Sequence, residues 1–199
     1  MKTIAIITMV LLMGFFLSNC TKESSTIPKP KTDVVVVKDR MTQSEMVKRG
    51  EYIVSTSACD DCHTPKIMSA TGPVLDMDLR LSGYRAGSQM AKISDKNILK
   101  DYALCNMELT GWVGPWGTSF AANLTPDDSG IGNWSVDQFK KAIREGKYKG
   151  LDGGRSLLPP MPWEVYRNFT DQDLECIFAF LKSLPAVKNV VPPPIPPTS

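Results

Sequence analysis

Cys59-Asp60-Asp61-Cys62-His63 sets two thiols and an imidazole within five consecutive residues. Cysteines two residues apart lie on one helical turn. That spacing lets both thiols add across the two vinyl groups of a haem, and the next residue then projects over the ring so that its imidazole reaches the iron. Rival chemistries need more than the chain supplies. A thioredoxin-like redox pair needs a strand–helix–strand setting, which is not legible here. A zinc site needs four ligands, and no second histidine or second C-x-x-C exists to complete it. A disulfide across two residues is strained.

His63 is the only histidine, so a second imidazole from this chain is excluded and methionine is the next axial candidate. Of ten methionines, Met161 is singled out by Leu158-Pro159-Pro160-Met161-Pro162-Trp163. Prolines on both sides hold the backbone extended and present the thioether without a competing helix. Met107 and Met68 are the other candidates; a methionine elsewhere is more often core filler.

Three helices can be read around these residues. The first opens at a capping box, Thr42-x-x-Glu45, and carries Met46, Val47, Gly50, Ile53 and Val54 on one face. Gly50 on that face invites the close approach of another backbone. The second opens at Ser135-x-x-Gln138, with Val136, Phe139 and Ile143 as its stripe and Gly146 as its C-cap. The third opens at Thr170-x-x-Asp173, carries Leu174, Ile177, Phe178 and Leu181, and stops at Pro185. No alternating strand pattern is visible. Residues 64–130 are rich in loop residues, and so loose a stretch needs something rigid to pack against, such as a buried cofactor.

The ends have a different character. Lys2 and the apolar run Ile4 to Leu17 have the form of a signal segment, too short to span a bilayer comfortably. Leu17-Ser18-Asn19-Cys20 resembles the lipobox of bacterial lipoproteins, which implies cleavage after residue 19 and a lipid on Cys20; Asn19 departs from the usual Gly or Ala. Residues 20–41, with Val34-Val35-Val36-Val37, read as a tether. The domain proper is 42–190. Residues 191–199, proline-rich, read as a polyproline-like tail with neither helix nor sheet. The 23 basic and 21 acidic residues balance to +2, which gives no footprint for nucleic acid.

From residue 42 to 190 the chain resembles a class I cytochrome c: a first helix, then C-x-x-C-H, a Gly-Pro loop, a methionine loop and a last helix, in that order. The resemblance implies an all-α fold of helices around one covalent haem c, here with a long loop-rich insertion at 66–123. It implies that Cys59 and Cys62 hold the haem, that His63 and Met161 ligate the iron, and that the carbonyl of Pro73, in Thr71-Gly72-Pro73-Val74-Leu75, accepts a hydrogen bond from His63. Asn123-Leu124-Thr125-Pro126, Gly130-Ile131-Gly132-Asn133-Trp134 and Met161-Pro162-Trp163 also resemble cytochrome domains found with periplasmic dehydrogenases.

The expected function is one-electron transfer with no catalytic residue. The protein would be exported, lipid-anchored in the bacterial cell envelope and facing the periplasm or exterior. Its partner would be a dehydrogenase, an oxidase or another cytochrome. A peroxidase-like enzyme or a sensor would instead need an open sixth iron position. Cys105 and Cys176 either pair or stand apart, with Cys176 as a small buried residue.

Overall fold

The computed structural model describes residues 41–197. The signal segment, Cys20 and the valine run lie outside the described residues. In chain order the elements are α1 (Gln43–Thr56), α2 (Cys59–His63), the hairpin β1 (Lys66–Ser69) and β2 (Gly72–Leu75), then β3 (Leu104–Cys105), β4 (Gly111–Gly114), β5 (Gly117–Phe120), α3 (Val136–Glu145), α4 (Trp163–Tyr166) and α5 (Asp171–Ser183).

The three long helices start where their caps require. The Thr42 amide donates to the Glu45 carboxylate at 2.7 Å and the Glu45 amide donates to the Thr42 hydroxyl at 3.3 Å, both arms of a capping box. Ser135 and Thr170 cap α3 and α5 in the same way, each hydroxyl accepting an amide three residues on at 3.1 Å. α3 ends on Gly146 at φ 63°. α5 ends at Leu184, held extended because Pro185 follows.

α1 and α5 cross at Gly50. A Cβ on Gly50 would run into the Cys176 carbonyl oxygen and lie 2.8 Å from the Phe180 Cβ, so only glycine lets the backbones meet. Around the crossing, Ile53 and Val54 of α1 pack with Leu174, Ile177, Phe180 and Leu181 of α5, joined by Phe139 of α3 and by Leu81 and Ile131 from loops. Arg49 of α1 donates to Asp173 of α5 at the rim. Cys176 is sealed beneath α1 and Cys105 stands exposed on β3; both are free thiols.

The structure is mostly helical, but not all-α. The insertion holds two small antiparallel sheets, β1–β2 and β3–β4–β5. Strands of two to four residues are too short to display an alternating pattern, and both hairpins turn in two residues between Ser69 and Gly72 and between Gly114 and Gly117. Gly117, at φ 93°, makes the second of these turns possible.

The proline-rich tail returns to the domain. Ile195 pairs antiparallel with Thr118 on the open edge of β5, through amide-to-carbonyl bonds of 2.8 and 2.9 Å. Ile195 is the one residue of Pro192–Pro197 with an amide hydrogen, and that hydrogen makes one of the two bonds. Upstream, the Asn189 side chain donates to the carbonyls of Ser82 at 2.7 Å and Tyr84 at 2.9 Å and accepts from the Ala86 amide at 2.8 Å.

Candidate haem site

α2 is a single turn, entered through Ala58 in a left-handed conformation at φ 58°. It carries Cys59 and Cys62 as free, half-buried thiols. Burial and the neighbouring Asp60 push the Cys59 thiol up to about 12. Burial also raises the Cys62 thiol, against the pull of Lys66. The Lys66 ammonium sits at the C-terminal end of α2 and uses all three hydrogens on carbonyls: Asp61 at 2.5 Å, Glu108 at 2.7 Å and Thr64 at 3.1 Å. Glu108 belongs to the turn after β3, so this contact fastens the insertion to the motif.

The His63 ring donates from Nδ1 to the Ala122 carbonyl at 2.8 Å, because a carbonyl can only accept. That bond fixes the tautomer and leaves Nε2 with its lone pair for a metal. Burial lowers the His63 pKa below its ordinary value, overriding the Ala122 bond and Asp60, so the ring is neutral near pH 7 and able to ligate. Ala122 stands where the family resemblance put Pro73. Pro73 lies exposed in β2, paired with Met68.

One segment that sequence reasoning passed over, Arg80-Leu81-Ser82-Gly83, braces the whole motif. The Arg80 guanidinium holds the buried Asp60 carboxylate by two bonds and also reaches Glu51 and Ser55 of α1. The Leu81 amide donates to the Thr64 hydroxyl at 3.0 Å, which donates on to Asp60 at 2.8 Å. The Gly83 amide donates to the His63 carbonyl at 2.7 Å. At φ 81°, Gly83 has no Cβ to strike the Ala122 carbonyl, which would lie 2.6 Å from it. The available signal was Asp60 itself: a carboxylate on a short, packed turn needs a cation.

Met161 is half-buried in a tight turn, its amide donating to the Leu158 carbonyl at 3.2 Å and its carbonyl accepting from Trp163 at 2.9 Å. The turn is fastened from two directions. The Ser119 hydroxyl donates to the Pro159 carbonyl at 2.5 Å. Tyr166, at the end of α4, donates to the Ser57 carbonyl at 2.5 Å, two residues before Cys59. Burial beside Cys59, Cys62 and Asp61 pushes the Tyr166 hydroxyl up to about 12. Met68 and Met107 stand exposed. The donor set of two free thiols on one turn, an imidazole with Nε2 free and a thioether in a tethered loop fits a covalently held haem. Among the described residues, no cluster of three or more His, Cys, Asp or Glu is arranged to hold a metal ion.

No family model matches the chain. It is similar to a nicotinate dehydrogenase component of Pseudomonas putida, 28% identical over 148 residues, covering 74% of this chain and 9% of that protein. It is also similar to the gluconate 2-dehydrogenase cytochrome c subunit of Pantoea cypripedii, 29% identical over 71% of this chain and 24% of that protein. The fructose dehydrogenase cytochrome subunit of Gluconobacter japonicus is 33% identical over 68% of this chain and 20% of that protein. The chain is a distant homologue of cytochrome c subunits of dehydrogenases, and it spans a quarter or less of the length of these relatives.

Proposed function

We propose that this protein is an electron carrier with one covalently attached haem c. Cys59 and Cys62 form the thioether bonds, and His63 and Met161 are the axial ligands. The observation that carries the reading is the His63 Nδ1 bond to Ala122, which leaves Nε2 as the ring's lone-pair nitrogen on the same turn as two free thiols. A haem bound there supplies a ferrous–ferric couple. The protein's part is to hold the imidazole neutral and oriented, to brace α2 through Arg80 and Lys66, and to keep the thioether in place so that no substrate enters. A thioether ligand favours ferrous iron, so the potential lies above that of a bis-histidine site.

The relatives are named as cytochrome subunits of dehydrogenases. By that likeness the partner is a dehydrogenase subunit, with an oxidase or another cytochrome at the other end of the chain of transfer. The protein works outside the cytoplasm, facing the periplasm or the cell exterior. No helix among the described residues is long and apolar enough to cross a membrane; in this reading a lipid on Cys20 is the attachment. Residues 42–190 are the haem domain, carried on the 20–41 tether.

The test is a denaturing gel stained for haem-linked peroxidase activity. The wild-type band stains, because thioether bonds survive denaturation, and the Cys59→Ser, Cys62→Ser double variant does not. An unstained wild-type band overturns the reading.

A further inference from the structure

The insertion between α2 and α3 has a task that the electron-carrier reading does not assign. Ser119 lies on β5, buried, and its hydroxyl is fully committed. The Trp116 indole can only donate, and it donates to Ser119 Oγ at 3.2 Å. The hydroxyl proton is therefore free for one acceptor, the Pro159 carbonyl at 2.5 Å. Pro159 precedes Met161 by two residues, inside the turn closed by the Leu158 carbonyl. Removing Oγ would leave a half-buried indole and a loop carbonyl without this partner.

β5 is itself held from both sides. β4 pairs one edge and Ile195 closes the other at Thr118, the residue before Ser119. Gly117 lets the tail approach, because a Cβ there would run into the Ile195 carbonyl oxygen. A continuous line of contacts thus runs from Ile195 to Thr118, along the strand to Ser119, and across to the methionine turn.

We propose that Ser119 is a positioning residue for the Met161 ligand, and that the tail, through Ile195, keeps β5 where Ser119 can act. The proposal rests on Met161 being the sixth ligand. Loosening either contact raises the fraction of time the thioether is away from the iron.

The experiment uses the full-length haem protein. It follows the far-red absorption band of the ferric methionine–iron bond, the rate of carbon monoxide binding to the ferrous form, and the denaturation midpoint. Wild type binds carbon monoxide slowly. Met161→Ala loses the band and binds freely. Ser119→Ala keeps the band and binds about five- to tenfold faster, the effect of losing the one hydrogen bond that reaches the methionine turn. Ser119→Thr, which retains a hydroxyl, restores the slow rate. Ile195→Pro, which removes one of the two bonds to Thr118, speeds binding to a lesser degree. A Ser119→Ala protein with a lowered midpoint but a wild-type binding rate overturns the positioning role, and an unchanged rate in Ile195→Pro overturns the part given to the tail. If Met161→Ala keeps its band and stays closed, the ligand is elsewhere and the proposal falls with it. If Met161→Ala opens the iron and Ser119→Ala does not speed binding, the ligand stands and only the clamp fails.

Discussion

Arg80 grips Asp60 inside the C-x-x-C-H turn, Nε to Oδ1 at 3.0 Å and a terminal nitrogen to Oδ2 at 2.8 Å, with Asp60 almost wholly buried. The guanidinium also stacks over Phe180, 5.1 Å from the ring centre, so one side chain joins α2, α1 and α5. Removing a single partner strands a buried charge. Asp60→Asn or Arg80→Leu should each destabilise by about 3 kcal/mol, and the double variant should recover part of that loss. Denaturant midpoints of the three variants check the coupling; strict additivity would contradict it.

Gly83→Ala should act on both stability and potential. The added methyl meets the Ala122 carbonyl and the backbone is strained at positive φ, at a cost of about 1–3 kcal/mol. Displacing that carbonyl weakens the bond from His63 Nδ1 and makes the imidazole a poorer donor to ferric iron. The midpoint potential should rise. A fall, or no change, would mean that Ala122 does not tune the ligand.

At the helix crossing, Gly50→Leu should destabilise by about 1–3 kcal/mol or more, since even a Cβ overlaps the Cys176 carbonyl. The gain in helix propensity on replacing glycine offsets about 1 kcal/mol at most. A denaturant titration with an unchanged midpoint would count against the crossing.

Acid should loosen the same interface. Burial works to raise the Asp173 pKa, but the Thr170 hydroxyl and Arg49 outweigh it and hold the group below the ordinary carboxylate value. With a depressed folded-state pKa, its contribution is fully present above the unfolded value and is lost as pH falls through the folded one. Between pH 5 and pH 2, Arg49→Leu should lose less stability than wild type; parallel pH profiles would refute the link.

Cys20→Ala should abolish lipoprotein processing, and the wild type should partition with membranes. A wild type recovered wholly in the soluble periplasmic fraction would refute the anchor.

The long helices were legible because each begins with a capping side chain, α3 ends on a glycine and α5 stops before a proline, and Gly50 marked the crossing because it sits on an otherwise apolar stripe. The thiols and His63 were legible because side-chain chemistry and spacing announce them. The acceptor for His63 was not. A backbone carbonyl has no side-chain signature, so Ala122 looks like any alanine, and the Gly-Pro pair at Gly72-Pro73 drew attention to an exposed hairpin. The strands escaped because the sheets are small and their hairpins lie partly exposed, leaving no alternation to read. Asp60 and Arg80 lie twenty residues apart, and nothing local pairs them.

The segment from Asn189 to Ile195 touches the supports of both proposed ligands, Asn189 holding the Ser82–Ala86 stretch behind His63 and Ile195 the strand behind Met161. A chain crossing a membrane N-terminus first presents Cys59 and Cys62 long before residues 189–195 emerge. If the proposed haem is attached during export, attachment would act on an open, accessible turn, and the proposed axial pair would be secured only once residues 189–195 arrive. On that reading, synthesis order and ligand locking would run in the same direction, and an interrupted chain would carry a tethered cofactor with unguarded iron.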